Sequence, residues 1–571
     1  MEGGPAMILL NPRKLSRRYP DERSLEVMAS TIDFFEKKGK KRLKEDAHQR
    51  VWYDDFLKFV KDEKIFATLL TPPKYGDADS RWDTFRNVDF NEILAFYGLQ
   101  YWYTWQVTTL GLGPIWMSQN EEAKRRAAQL LKDGAVFAFG LSERQHGADI
   151  YSTEMTLTPQ PDGSYRANGE KYYIGNGNVA PMVSTFGKMA DTGDYVFFVA
   201  DFAKPNYELL KNVTASQSYV AAFALRDYPI GEAEILSKGR EAWDSALNTV
   251  NICKFNLGAA SIGISTHAFY EAINHAANRR LYGMYVTDFP HVKQMFTDAF
   301  ARLVAMKLFT LRAADYMRVA SPNDRRYLLY NSVVKMKVTT QGEEVIDLLW
   351  NVIAAKGFER DMYFESAAMD IRALPKLEGT VHVNIALILK FIANYFFNST
   401  EYANIGQRSE PKNDDYLFQQ GPAKGMGDIR FHDYNIAYSD WDLPNVSILR
   451  EQTAVFSEML AVVPPDEGQR RDTDFLLTVG EIFTLVAYGQ LILENARIYD
   501  VPADVVDQIF DCFVRDFSKF ALQLYSKPSC NAQQAARCLK MIRKPAVDDE
   551  RYERVWRDYV HALKGAYEMN L

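Results

Sequence analysis

The spacing of apolar positions changes twice along this chain, and each change marks a different kind of element. From about residue 22 to 135, stretches such as "SLEVMASTIDFFEKKGKKRLKEDA" and "NEEAKRRAAQLLKDG" repeat apolar residues at helical intervals, with "LTPPKYGDADS" as a Pro/Gly/Asp break between helices. They predict a helical N-terminal domain over 1–135. The runs then become short and β-like in "AVFAFGLSE", "STEMTLTPQ", "SYRANGEKYYIGNG" and "DYVFFVADF", so a compact β domain is expected over 136–240. Asn168-Gly169 reads as a hairpin turn, because both central positions of a type I′ turn need positive φ. Helical spacing returns over 241–397, where Ser321-Pro322 reads as a helix entry and Gly357 as an exit. A linker is expected over 398–435, then an accessory helical domain over 436–571 punctuated by Pro464-Pro465 and Pro528. The fold class is mainly α with a central β domain.

Composition narrows the partners. At 571 residues with 47% apolar content, the chain can bury a large core, and a net charge of −7 with a pI near 5.8 argues against a nucleic-acid surface as its main business. Cys253, Cys512, Cys530 and Cys538 show neither a CxxC pair nor zinc-site spacing, which suits reduced thiols in a cytoplasmic protein. None of the eight histidines has ligand spacing to another, so no metal is expected. "MEGGPAMILLNPRKL" is too short in apolar length for a signal peptide, and "NIALILKFIANYFF" is interrupted by Lys390, so no membrane span is expected.

The position that stands out is Glu378, in "ALPKLEGTVHVN", a carboxylate between a leucine and a glycine. A partly desolvated carboxylate is costly unless it is paired or partly neutral, so Glu378 is either a buried partner of a cation such as Arg372 or a base kept reactive by its surroundings.

Context favours the second reading. "FAFGLSERQHGAD" followed by "NGEKYYIGNG" resembles the flavin-binding segments of the acyl-CoA dehydrogenases, and "NRRLYG", "AAKGFERD" and "LPKLEGT" resemble three further signatures of that family in the same order. The resemblance covers about residues 22–396. It implies the family's fold, a helical N-terminal domain, a β-barrel-like middle domain and a four-helix bundle, here with an appended helical domain like that of the large members. It also implies FAD, an acyl-CoA substrate, an electron-transferring flavoprotein or similar acceptor, a homodimer, and a place in fatty-acid β-oxidation.

Carried over residue by residue, the resemblance puts the catalytic base at Glu378, with FAD taking the β-hydride on the opposite face of the thioester. Apolar neighbours would move the carboxylate toward the working pH, and the Glu378 N–H with a flavin ribityl hydroxyl would bind the thioester carbonyl. Phe139, Leu141 and Ser142 fall where the isoalloxazine is cradled, with the Ser142 hydroxyl facing the ring; Tyr173 matches a nearby aromatic, and Gly147 a glycine that admits close ligand approach. Arg279 matches an arginine reaching FAD phosphate across a dimer interface, and Thr380 is a further flavin contact. Ala148, Lys254 and Gly379 fall on substrate positions, although without context Lys254 is a solvated surface lysine. In "LQYWYTWQVTT", Trp102, Tyr103 and Gln106 fall on the helix that floors the acyl pocket, which implies short, branched or compact cyclic acyl groups; the bland alternative is core packing.

Several positions depart from the family pattern. Arg144-Gln145-His146 replaces a Pro-Gly-Ala type of loop, Ala148 replaces a serine that contacts CoA, and Gly175 stands where a threonine commonly bonds the flavin near N5. Pro290 and "NVIAAKG" replace cross-subunit FAD contacts; His146 is a candidate polar contact to substrate, or simply solvated. The competing readings are a flavin-binding scaffold of the DNA-damage-response type and a superfamily oxidase or monooxygenase. The acidic excess after residue 400 disfavours the former.

Overall fold

The computed structural model describes residues 8–15, 19, 21–407 and 410–571. The segment MEGGPAM, part of the stretch weighed as a signal peptide, lies outside the described residues. The chain forms two compact units, one from 17–256, 409–424 and 569–571, the other from 1–16, 257–408 and 425–568.

The first unit opens with α1 (Glu22–Gln49), α2 (Asp54–Asp62), α3 (Ile65–Leu70), α4 (Thr84–Tyr97), α5 (Leu99–Met117) and α6 (Glu121–Lys132). Side chains cap several of these: Asp21 accepts from the Ser24 N–H, Asp83 from Phe85 and Asn120 from Ala123, each satisfying a donor the helix cannot. Every residue of α4 is buried, and α4 packs on the uncharged, largely buried α5. Near its middle α1 breaks at Gly39 (φ +74), where a Cβ would lie 2.7 Å from the Leu571 carbonyl oxygen, so the chain's last residues dock against the kink.

Eight strands follow: β1 (Ala138–Gly140), β2 (Thr156–Pro159), β3 (Tyr165–Gly175), β4 (Val183–Met189), β5 (Tyr195–Ala200), β6 (Tyr207–Asn212), β7 (Val220–Ile230) and β8 (Ile235–Lys238). They form one mixed sheet in the order β6-β7-β3-β2-β4-β5-β8, with β1 parallel to β4. Val183, Phe198, Phe223, Leu225 and Tyr228 form its core.

Asn168-Gly169 is not the hairpin turn. It lies inside β3 at a bulge opposite β7, and Asn168 exchanges side-chain bonds with Asp227. Glycine is needed at 169 because a Cβ would lie 2.9 Å from the Met155 Cα of the neighbouring chain segment. The β2–β3 turn is Pro161-Asp162-Gly163-Ser164, where Gly163 takes φ +84 and Asp162 accepts the Ser164 N–H.

α7 (Gly239–Cys253) completes this unit rather than the bundle. Part of the expected linker belongs to it too. Asp414 accepts the Thr84 N–H at 2.8 Å, Asn248 donates to the Gly421 carbonyl, and Phe418 packs edge-on against Trp82, so 410–424 is clasped rather than loose.

The second unit takes α8 (Asn256–Asn278) from its second residue, a short ribbon of β9 (Arg280–Leu281) and β10 (Met284–Tyr285), α9 (Pro290–Arg318), α10 (Tyr327–Val333), a π-helical turn (Val334–Val338), α11 (Thr339–Ile353), α12 (Tyr363–Ala373), α13 (Val381–Ile388) and α14 (Ile392–Phe397). α10 begins six residues beyond Ser321, because Ser321 and Asp324 close a tight turn by exchanging backbone bonds, and Asp324 then holds the Arg326 guanidinium. The unit continues with α15 (Asn435–Ser439), α16 (Pro444–Val462), α17 (Thr473–Ile498), α18 (Ala503–Tyr525), α19 (Ala532–Met541) and α20 (Asp549–Val555). α17 is a more apolar stretch than the one interrupted by Lys390. It is long and apolar enough to cross a membrane, with mean hydropathy 1.7 over eighteen residues, yet 83% of that window is buried, packed among α9, α13 and α18.

Candidate active site

In the first unit the expected flavin positions gather at the end of β1 and along β3. β1 runs into Leu141 and Ser142, and both are tied to β3. The Lys171 ammonium donates to the Leu141 carbonyl at 3.0 Å, and the Tyr172 N–H donates to the Ser142 carbonyl. The Ser142 hydroxyl donates to the Tyr172 carbonyl at 2.8 Å, so its proton serves the strand connection and not a ring. Phe139 is half-buried and stacks on Phe197.

What holds this loop is an ion pair absent from the motif positions named above. Lys171 and Glu143 are both buried, 2.7 Å apart. Glu143 also accepts from the Thr153 hydroxyl and from the Glu154 and Met155 N–H groups. Burial alone would raise the Glu143 carboxyl, but Lys171 and these donors hold it below its usual range, while burial pushes Lys171 down to about 8. The signal was present, since Lys171 stands within "NGEKYYIGNG". The same motif holds Asn176, buried at φ +59, which bonds Thr104 of α5 and the Phe137 carbonyl. His146 lies 3.6 Å from Glu154, and with Glu143 they form a His/carboxylate group of the kind excluded by spacing alone. Glu143 is already committed to Lys171 and the three donors.

Tyr173 is 60% exposed and takes φ +65, a left-handed conformation rare for a bulky residue. Gly147 and Ala148 are exposed; a Cβ at Gly147 would meet no other atom within 4 Å, so packing does not require a glycine there. Gly175 is the opposite case. A Cβ would lie 2.7 Å from Tyr103 Cε1, 2.9 Å from the Tyr103 hydroxyl and 2.8 Å from Val107 Cγ1, so the Tyr103 ring occupies the space a threonine would need.

The two aromatics expected to floor a pocket therefore part company. Tyr103 reaches Gly175, whereas Trp102 is fully buried against α4, its indole N–H donating to Asn91 at 2.8 Å beside that of Trp105 at 3.0 Å. For Trp102 the core-packing alternative holds. Gln106 donates to the Cys253 carbonyl at the end of α7 and accepts from Asn256. Lys254 is only 2% exposed, which rules out a solvated surface lysine.

In the second unit, Glu378 sits in the connection between α12 and α13, not in a helix. It takes φ +53 and Gly379 takes φ +88, two left-handed residues in succession; for glutamate this costs about 1–2 kcal/mol. The turn is fixed from its C-terminal side. Thr380 caps α13 by accepting the Val383 N–H, and Asn384 donates to the Gly379 and Thr380 carbonyls, so the Thr380 hydroxyl is engaged in the cap. Arg372 is not the partner of Glu378: it donates to Asp347 at 2.6 Å and to the Ala368 carbonyl. A cation whose charge acts on Glu378 is Lys335, fully buried in the π-helical turn and donating to the Leu374 carbonyl at 2.8 Å. Arg279 follows the end of α8 and is exposed, as are Leu281, Tyr282, Met284 and Tyr285 of the adjoining ribbon.

A helical N-terminal segment, a mixed eight-stranded sheet, a helical bundle and appended helices make up the acyl-CoA dehydrogenase fold. An acyl-CoA dehydrogenase from Bacillus anthracis, solved with FAD, superposes with a TM-score of 0.75 over 99% of both chains at 15% identity, so the appended helices belong to the shared fold. Residues 241–393 match the family model described as acyl-CoA dehydrogenase, C-terminal domain. The short-chain specific acyl-CoA dehydrogenase of Megasphaera elsdenii is 23% identical over 326 residues, 55% of this chain and 85% of that protein. Subunit CarC of the caffeyl-CoA reductase-Etf complex of Acetobacterium woodii is 22% identical over 52% of this chain and 79% of its own. Residues 241–393 thus match the C-terminal domain of the acyl-CoA dehydrogenases, and the chain shares that family's fold.

Proposed function

We propose that this protein is an FAD-dependent oxidoreductase that interconverts an acyl-CoA and its 2,3-enoyl thioester, with Glu378 as the base. The observation that carries the reading is the Glu378-Gly379 turn, a strained conformation held by Asn384 and the Thr380 cap, since such strain persists only where surrounding structure enforces it. In dehydrogenation the Glu378 carboxylate takes the α-proton, and its backbone N–H stabilises the charge developing on the thioester oxygen. FAD, when bound, supplies the acceptor for the β-hydride.

The flavin positions fit that cofactor through the strand-tied carbonyls of Leu141 and Ser142, the unencumbered Gly147 and the exposed Tyr173 ring. Arg279 and the exposed apolar ribbon beside it support a homodimer in which Arg279 reaches the partner's cofactor. An electron-transferring flavoprotein is the proposed redox partner, supported by the Etf-complex subunit among the relatives. The same likeness to a reductase subunit leaves room for the reverse direction, in which Glu378 returns a proton to Cα.

Anaerobic addition of acyl-CoAs of graded length and branching should bleach the flavin, and Glu378→Gln should keep fold and flavin while slowing bleaching about 10²-fold or more. A protein that cannot be loaded with FAD, or a Glu378→Gln variant reduced at the unaltered rate, would overturn the reading.

A further inference from the structure

Lys335 is a fully buried lysine in a π-helical turn between α10 and α11, and such turns interrupt the regular ladder to aim particular side chains. Its ammonium donates to the Leu374 carbonyl at the start of the α12–α13 connection, four residues before Glu378. The charged groups around it are Glu378 and Lys376 from that connection and Glu343 from α11, and Lys376 is itself paired with Glu343 at 2.7 Å. Glu378 is thus a carboxylate whose charge acts on Lys335. Burial pushes Lys335 down to about 7, and the Glu378 charge opposes that shift.

We propose that Lys335 is the positioning residue that sets the basicity of Glu378, anchoring the base-bearing turn through the Leu374 carbonyl and favouring the ionised carboxylate by its charge. This rests on Glu378 being the base. As pH falls through neutrality Lys335 takes up its proton, and the resulting ammonium favours the charged form of the carboxylate on the turn it anchors. A methionine at 335 would fill similar volume without the charge.

The test uses the full-length holoprotein as wild type, Lys335→Met, Glu378→Gln and the double variant. In Lys335→Met the acid limb of flavin reduction should move to higher pH by about one unit, so the rate well below the midpoint falls about tenfold while the high-pH plateau is kept. A second readout needs no turnover: the pH dependence of the urea midpoint should change on Lys335→Met in the wild-type background and change differently in the Glu378→Gln background. Coupling in the stability data with no flavin reduction by any acyl thioester would sink the dehydrogenase reading and leave the Lys335–Glu378 linkage standing. Additive stability effects, or an unmoved acid limb in a folded Lys335→Met protein, would overturn the proposal.

Discussion

Gly175→Ala provides a sign test of how the end of β3 meets α5. The φ of Gly175 is not in the left-handed region, so the strand backbone itself would accept alanine, and a glycine-to-alanine change at such a position stabilises by about 0.4–1 kcal/mol through the unfolded chain. The structure reverses that expectation. The added methyl would sit 2.7 Å from Tyr103 Cε1, 2.8 Å from Val107 Cγ1 and 2.9 Å from the Tyr103 hydroxyl, all inside van der Waals contact, so the ring or the helix must shift. Overpacking of this kind costs about 1–3 kcal/mol. Urea unfolding of the holoprotein, followed by tryptophan fluorescence, should show a lower midpoint for Gly175→Ala. The same substitution in a Tyr103→Ala background should cost less, because both Tyr103 contacts are gone and only the one with Val107 Cγ1 remains. A raised midpoint for Gly175→Ala alone would refute the argument that Tyr103 fills the threonine position.

Other outcomes follow from single contacts. Lys171→Met strands the Glu143 carboxylate in the interior and should cost about 3–5 kcal/mol, whereas Lys171→Met with Glu143→Gln should recover much of the loss, as read by urea midpoints. Trp102→Gly should destabilise by at least the 3–5 kcal/mol typical of Trp-to-Ala changes, through lost burial and the lost bond to Asn91; a folded variant with improved kcat/KM for long acyl chains would return Trp102 to the pocket. Lys335 has a folded-state value near 7 against an ordinary 10.5, so between those values the unfolded chain holds the extra proton and stability rises with pH; Lys335→Met should flatten that rise in urea midpoints measured from pH 7 upward.

The pattern of apolar spacing was enough to order the molecule: helices to about 132, strands from 138 to 238, helices thereafter, because periodicities of 3.6 and 2 are local properties of the backbone. The motif words singled out the β1–β3 segments and Glu378 as the candidate site. What the words could not carry was anything decided by residues distant in sequence. Asn168-Gly169 has the composition of a turn, but its glycine answers the approach of Met155, and the turn fell to Pro161–Ser164. Arg372 is the nearest arginine to Glu378 in sequence, yet helical geometry points it at Asp347, and a cation whose charge acts on Glu378 comes from 43 residues upstream at Lys335. Trp102 and Tyr103 are neighbours in "QYWYTW", and only the 100° step between successive helical residues sends one into the α4 contact and the other to Gly175. Burial, pairing and the strain at Glu378 are properties of packing, and packing is settled by the whole chain at once.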